Sequence, residues 1–220
     1  MTSEREGKLK LKLFVEGYTE ENYFKKLRKN NNVEISYTEI NMEGGGYTSF
    51  LKEIKKSSDL GFIAVFIVID LDKYIDEVNQ KKPLEELIAY CKRKNKNGRI
   101  PYFLIASNRD FEFFACSHCV NYKDSNTNAY ITKNFKYKNL EDFKSDEKIY
   151  EFLNSNSKSY INAINKIKTK KPYISNEYIK DIKKLDKSLK IRQTTINAEA
   201  LCYFHSNMYE FFDIIGVEGF

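Results

Sequence analysis

An unbroken apolar run, "FIAVFIVI" at residues 62–69, constrains the fold of this chain more than any other feature. The run has the length of a strand and is too short to cross a membrane. Its continuous apolar character is typical of a strand that is covered on both faces, as the central strands of a parallel sheet are. The sequence therefore predicts a parallel sheet with helices on both sides of this run.

The segments on either side of this run alternate between strand and helix patterns. We predict strands at 9–15, 33–40, 62–69 and 100–106, and helices at 19–30, from about Thr48 onward, and at 83–95. This alternation predicts an α/β fold with a parallel sheet flanked by helices.

The alternation ends after residue 107. The stretch "DFEFFACSHCV" (110–120) has a helical pattern, and 146–215 reads mainly as helix. We therefore expect an α/β core at 1–107, and at 108–220 a C-terminal helical lobe that packs on the core and completes the site.

Composition restricts the cellular setting and the class of partner. With 41% hydrophobic and 31% charged residues, the chain has enough apolar side chains for a core. Its first residues lack the apolar segment of a secretion signal, so we expect a cytoplasmic protein with no membrane partner and with its four cysteines reduced. A net charge of +6 is compatible with binding to nucleic acid.

Acidic residues follow two of the predicted strands. Glu16 follows the first strand, and Asp70 and Asp72 follow the apolar run. In open α/β sheets, ligands bind beyond the carboxyl ends of the strands. Because residues two apart in an extended segment point the same way, Asp70 and Asp72 are expected to face one place while Leu71 points into the core.

Carboxylates that converge repel one another unless a cation or a proton lies among them. Magnesium prefers hard oxygen ligands, and it is the natural cation for such a site. A bound magnesium ion favours cleavage of phosphodiester bonds, because it polarises a phosphoryl oxygen and acidifies a bound water. Each motif taken alone also fits an ordinary loop or helix cap, whereas the two together favour a metal site.

At this point the chain resembles a known family. The segments "FVEGYTEENYF" (14–24) and "FIVIDLDKY" (66–74) resemble the Toprim fold of topoisomerases, primases and overcoming-lysogenization-defect nucleases. Within that group the chain is similar to the RloB family of restriction-linked phage-defence proteins. The segments "SNRDFEFFACSH" (107–118) and "RQTTINAEAL" (192–201) are similar to two further stretches of that family.

The resemblance implies a role for each matching residue. Glu16 would be the acid/base glutamate, Asp70 and Asp72 would hold magnesium (with manganese as a substitute), and Glu112 and His118 would be family-specific catalytic additions. The chain departs from the family pattern where Arg109 replaces a proline and where Asn197 replaces a common histidine.

The predicted function is that of a magnesium-dependent endonuclease of the Toprim type. By the family likeness it acts on RNA, with tRNA as one candidate, or on DNA, in phage defence, with a defence-system partner protein or a second copy of the chain as further partners. The alternatives are a non-catalytic nucleic-acid-binding or regulatory protein on the same scaffold, and a nucleotidyl transferase. The residues expected to contact substrate are Gly17, Asn108, Arg109, Arg192, Thr194 and Thr195.

Three further patterns have an ordinary structural explanation beside the functional one. The cysteine and histidine pairs in "CSHC" (116–119) and "CYFH" (202–205) would suit zinc, although buried cysteines on apolar helical stretches explain them better. The glycines of "EGGGY" (43–47) would suit a phosphate or a simple loop. The basic clusters at 166–171 and 180–192, with tyrosines between them, would suit a nucleic-acid groove or a solvated surface.

Overall fold

A mostly parallel sheet lies at the centre of the computed structural model, which describes residues 9–30, 33–39, 46–178, 189–194 and 203–215. Its parallel strands are β1 (Leu9–Val15), β2 (Val33–Glu39), β3 (Ala64–Asp70) and β4 (Tyr102–Asn108), in the order β2-β1-β3-β4. The predicted α/β class and the parallel pairing are confirmed. Each strand lies within two residues of its predicted bounds.

The helices between these strands pack on both faces of the sheet. They are α1 (Tyr18–Asn30), α2 (Gly46–Lys56), α3 (Asp72–Asp76), a 3₁₀ turn (Val78–Gln80) and α4 (Lys81–Asn97). Three of these helices were predicted, and the short α3 was not.

Alternation along the strands divides the core into two layers. Phe66 and Phe103 point to the face that α1 covers, whereas Val65 and Leu104 point to the face that α2 and α4 cover. Every residue from Ala64 to Ile69 is buried. The apolar run is therefore unbroken because both faces of β3 are covered.

The second half of the chain contains more strand than the sequence predicts. Its elements are α5 (Phe111–Ser117), α6 (Thr127–Tyr130), a π-helical turn (Ile131–Phe135), α7 (Leu140–Lys144), α8 (Ile149–Leu153), α9 (Tyr160–Lys168), β5 (Ile174–Glu177), β6 (Lys190–Gln193), β7 (His205–Ser206) and α10 (Tyr209–Ile215). The prediction that 146–215 is mainly helical misses β5 and β6, which pair antiparallel to each other, and β7, which pairs antiparallel to β4.

Side-chain amides complete the hydrogen bonding of β4 on the side away from β3. Asn176 accepts a hydrogen bond from the Leu104 amide (3.2 Å) and donates one to its carbonyl oxygen (2.9 Å). Asn207 accepts one from the Ala106 amide (2.7 Å) and also donates to the Leu104 carbonyl oxygen (2.9 Å). The buried Glu210 accepts from both asparagine side chains and so joins the two.

None of the helices in the described ranges combines the length and the apolar character that crossing a membrane requires.

Candidate active site

A group of carboxylates, called the acidic cluster below, gathers where β1, β3 and β4 end. Parallel pairing brings these ends to one edge of the sheet, since Phe14 pairs with Ile67 and Asp70 pairs with Ser107. The cluster consists of two acids after or near β1, two at the end of β3 and two after β4, which are Glu16, Glu20, Asp70, Asp72, Asp110 and Glu112.

Backbone hydrogen bonds fix the segment that carries Asp70 and Asp72. The amides of Leu71 and Asp72 both donate to the Arg109 carbonyl oxygen, at 2.9 and 3.0 Å. The Asp70 amide donates to Glu16 Oε1 (3.2 Å), and the Tyr47 hydroxyl donates to the Asp70 carbonyl oxygen (2.6 Å). Leu71 is fully buried, as predicted. The two aspartates are thus held on a rigid turn beside Glu16.

Burial and mutual repulsion raise the pKa values of Glu16 and Asp70. Burial raises the pKa of Glu16 well above its ordinary value, and the charges of Glu20 and Asp72 raise it further. Burial likewise raises the pKa of Asp70, with Glu20, Glu16 and Glu112 as the next causes. Such a group accumulates negative charge only at a free-energy cost, which a bound cation removes.

Two glutamates of the cluster lie almost wholly out of solvent. Burial raises the pKa of Glu20 to about 7, and burial together with Asp110 raises the pKa of Glu112 to about 8. The side chain of Lys144, on α7, lies beside them, with its Nζ 3.7 Å from Glu112 Oε1. Burial lowers the pKa of Lys144, but the surrounding carboxylates outweigh that effect and raise it overall.

The oxygens of the cluster fit a hard divalent cation. Asp70 Oδ1 is buried and has no hydrogen-bond partner among the described residues, which leaves a lone pair open for a ligand. Carboxylate oxygens are the ligands that magnesium takes. Within the described ranges, no group of three acidic, histidine or cysteine side chains is placed so that it could hold a metal ion as it stands. The donors are therefore of the right kind, and they converge without forming a complete ligand shell.

Sequence reasoning missed Glu20 and Asp110. Glu20 follows Gly17 by three residues, the position at which a glutamate reaches back towards the start of its helix. A Cβ atom on Gly17 would lie only 3.3 Å from Glu20 Oε2, so glycine allows this close approach. Asp110 caps α5 by accepting from the Phe113 amide (3.1 Å). In the sequence, both residues have the pattern of a helix start, and this pattern does not indicate that they share a site.

Three of the residues expected to bind substrate lie near the acidic cluster, but they differ in how far they are exposed. Gly17 lies at the start of α1, where its carbonyl oxygen accepts a hydrogen bond from the Glu21 amide (3.2 Å). Asn108 is buried, and its Nδ2 donates to the Tyr203 carbonyl oxygen (2.6 Å). Arg109 is exposed, and its side chain pairs with Asp76.

His118 does not have the surroundings expected of a proton donor to a substrate. It is fully buried, and burial lowers its pKa to about 4. Its Nδ1 donates to the Phe114 carbonyl oxygen (3.0 Å), so Nε2 accepts from the Tyr23 hydroxyl (2.9 Å). Both ring nitrogens are engaged inside the protein, as they are in a core histidine, and the catalytic role expected from the family likeness stays a prediction.

The residues predicted near the end of the chain are not brought to the acidic cluster. Arg192 lies on β6, where it pairs with Glu177 (2.7 Å) and lines a cavity of about 510 Å³ together with Lys92 and Lys96 of α4. That part of α4 directly precedes β4, so these contacts place Arg192 towards the other end of the sheet from the acidic cluster, and its contact with substrate stays a prediction. Thr194 lines another cavity, and Thr195 lies outside the described residues.

The remaining patterns agree better with their structural explanations. In the proposed zinc set, both nitrogens of His118 are engaged, and Cys202 lies outside the described residues. Lys166 and Lys170 pair with Asp124 instead of lying free. The interleaved tyrosines pack on other rings, namely Tyr160 on Phe212, Tyr173 on Tyr74 and Tyr178 on Phe103.

Comparison with known proteins links the chain to one family. A family model described as RloB-like protein matches residues 12–211, which includes every member of the acidic cluster. No curated protein and no solved structure matches the chain.

Proposed function

The chain belongs to the RloB-like family, and from this premise together with the acidic cluster we propose that it is a metal-dependent nuclease of the Toprim type that cleaves phosphodiester bonds. The observation that carries the proposal is the meeting of Glu16 with Asp70 and Asp72 at the carboxyl ends of two adjacent parallel strands. The raised pKa values of Glu16 and Asp70 and the unpartnered Asp70 oxygen support a cation among the three acids.

In the proposed reaction, three of the acids hold the metal ion and one moves a proton. Asp70, Asp72 and Glu16 hold the magnesium ion, for which manganese is the expected substitute. When bound, this ion polarises a phosphoryl oxygen and lowers the pKa of a bound water. Glu112, with a pKa of about 8, keeps a carboxyl proton at neutral pH and is the candidate for moving a proton to the leaving oxygen.

The substrate class and the biological role are part of the same proposal. We assign RNA, with tRNA as a candidate, or DNA as the substrate, because the site chemistry acts on the phosphodiester that both share. The role in phage defence, with a partner protein of a defence system, comes from the likeness to RloB proteins.

Replacing Asp70 with asparagine tests the proposal. Asp70→Asn keeps the shape of the side chain but removes a charged metal ligand, so we expect cleavage to fall by at least about a hundredfold. The assay incubates the protein with total tRNA, single-stranded DNA and plasmid, each with magnesium or manganese. Binding to nucleic acid and the folding transition should remain nearly unchanged.

A matched variant controls for loss of charge alone. Glu53→Gln removes an exposed carboxylate on α2 whose ion pair with Lys56 is solvent-exposed, so its activity should equal that of the parent. If Asp70→Asn cleaves as fast as the parent, the assigned site is wrong. If the parent takes up no magnesium in calorimetry and cleaves nothing, the non-catalytic alternative replaces the nuclease.

A further inference from the structure

A cavity of about 340 Å³ lies beside the acidic cluster without belonging to it. Its wall includes Lys170, Tyr173, Thr194, Tyr203 and His205. This volume lies within the range of about 300 to 1,000 Å³ that is usual for small-ligand sites. Nothing in the proposed cleavage chemistry uses it.

The cavity is joined to the end of the sheet that carries the acidic cluster. His205 of β7 pairs with Asn108 of β4, two residues before Asp110. On the other side Tyr173 stacks on Tyr74 of α3, with ring centroids 5.5 Å apart, two residues after Asp72. A nucleic-acid strand that is bound at the acidic cluster would therefore pass next to the cavity.

His205 is the polar group in this wall that lacks a partner. Only 4% of it is exposed, and neither ring nitrogen has a hydrogen-bond partner among the described residues. Burial, followed by the charge of Lys170, lowers its pKa to about 4, so the ring is neutral at pH 7. A buried neutral imidazole offers one donor and one acceptor, and leaving both unpaired is costly.

Aromatic rings and positive charge complete the wall. Tyr203 has 70% of its surface exposed, so its ring is open to a stacking partner. Phe204 also lines the cavity, although it stacks on Phe113 on one side. Lys171 adds positive charge, whereas Lys170 on the same wall is paired with Asp124. Unstacked bases are bound by proteins in this way, through an aromatic face and hydrogen bonds to the base edge.

We propose that this cavity receives one unpaired base of a nucleic-acid strand, with His205 bonded to the base edge, Tyr203 stacked on the base and Lys171 near its phosphate. The proposal rests on the proposed nuclease function, because it supplies the recognition that the acidic cluster lacks. It also gives Thr194 a place beside substrate, although not the place that the sequence predicted.

The two histidines of the chain provide a direct test by nuclear magnetic resonance. The full chain, labelled with ¹⁵N-histidine, is titrated with AMP, GMP, CMP and UMP without any divalent metal. At least one nucleotide should shift the ring signals of His205 and leave those of the enclosed His118 in place. Ribose 5-phosphate, which has no base, should shift neither.

Two variants of Tyr203 separate stacking from loss of fold. Tyr203→Ala should weaken nucleotide binding by between about fivefold and a hundredfold, and Tyr203→Phe should bind like the parent. The backbone carbonyl that accepts from Asn108 is kept in both. The proposal is overturned if no nucleotide moves the His205 signals, or if ribose 5-phosphate moves them equally, which would make the cavity an anion site.

The outcome is separable from that of the nuclease proposal. Asp70→Asn should bind the same nucleotide with unchanged affinity, because Asp70 does not line the cavity. Cleavage that depends on Asp70 without any nucleotide effect at His205 refutes the base pocket alone. Nucleotide binding at His205 in a protein that never cleaves supports the pocket and refutes the nuclease.

Discussion

At the scale of single residues, burial determines the chemistry of the acids more than their charged neighbours do. It is the largest cause of the raised pKa of Glu16, Glu20, Asp70 and Glu112. Neighbouring carboxylates then add to it. Ionising these acids in the folded chain therefore lowers the free energy of unfolding, by an amount that depends on pH.

The free energy of unfolding should fall as the pH rises from 6.5 to 8.5. The pKa values of Glu20 and Glu112 in the folded chain, about 7 and 8, lie above the ordinary value of 4.5. Between pH 4.5 and these values the folded chain binds more protons than the unfolded chain, so its stability falls as the pH rises. The buried histidines have the opposite effect on stability, because their pKa values are lowered from 6.5 to about 4. Above pH 6.5 they are neutral in both the folded and the unfolded chain, so they no longer change stability with pH. Urea unfolding at constant ionic strength measures the change.

Magnesium should restore part of this loss at pH 8.5 and have little effect at pH 5. In Asp70→Asn the fall with pH should be smaller and the magnesium effect absent. Glu210, whose pKa burial raises to about 7, keeps contributing in both proteins, since it lies outside the cluster. A stability that is equal or higher at pH 8.5 than at pH 6.5 contradicts the expected direction.

The core position of His118 predicts a loss of stability without a loss of chemistry. His118→Ala removes the hydrogen bonds of its ring with the Tyr23 hydroxyl and the Phe114 carbonyl oxygen and leaves a cavity in the core, so the free energy of unfolding should fall by about 3 kcal/mol. Cleavage per folded molecule, measured at low temperature, should stay within a few-fold of the parent. Tyr23→Phe is the matched control and should cost about 1 kcal/mol. A folded His118→Ala protein with no activity would restore the proton-donor role.

Single residues were predictable from sequence where a strand end defined them. Glu16, Asp70 and Asp72 follow strands, so the rule for sheet edges is enough to bring them together. His118 was not predictable, because a histidine in an apolar helix looks alike whether its nitrogens face substrate or the core. Lys144 gave no signal either, because only folding brings α7 to the cluster.

At the scale of elements, the asparagines beside β4 replace a strand. Asn207→Ala leaves the buried Ala106 amide without its side-chain acceptor and removes one donor each from the Leu104 carbonyl oxygen and Glu210, so we expect a loss of about 3 kcal/mol in the free energy of unfolding. Urea titration followed by circular dichroism measures it. Asn128→Ala, at an exposed position of α6, should change stability by less than about 0.5 kcal/mol. Equal effects of the two variants refute the role of Asn207.

Elements of the first half were predictable because their patterns are long and local. The apolar run and the amphipathic helices around it carry their periodicity within the segment itself. The strands β5, β6 and β7 are two to four residues long, and their pairing depends on partners far along the chain. No local pattern in "ISNE" or "HS" distinguishes such strands from loops.

At the scale of the whole molecule, one core layer joins both halves of the chain. Phe66 and Phe103 of the sheet belong to the same apolar cluster as Phe114 of α5 and Phe211 of α10. Phe66 contacts Phe211 directly, with centroids 5.0 Å apart. The division at residue 107 stays a prediction, but this layer makes the two parts interdependent.

A fragment that ends at residue 107 should therefore fail to fold cooperatively. Without α5 and α10, one face of the sheet loses its apolar cover, and the exposed area costs about 25 cal/mol for each Å². Circular dichroism during urea titration should show no sharp transition for the fragment and a sharp one for the full chain. A fragment that unfolds cooperatively near the midpoint of the full chain contradicts this expectation.

The amides of Asn176 and Asn207 also make the two margins of the sheet unequal. On the β4 side their side chains take up main-chain donors and acceptors that a further strand would need. On the β2 side, the described part of the chain provides β1 as the neighbouring strand and leaves the other flank of β2 unpaired. Between Leu104 and Asn108, the two asparagines and β7 already occupy the main-chain groups on the outer side of β4, so a further strand cannot pair along that stretch.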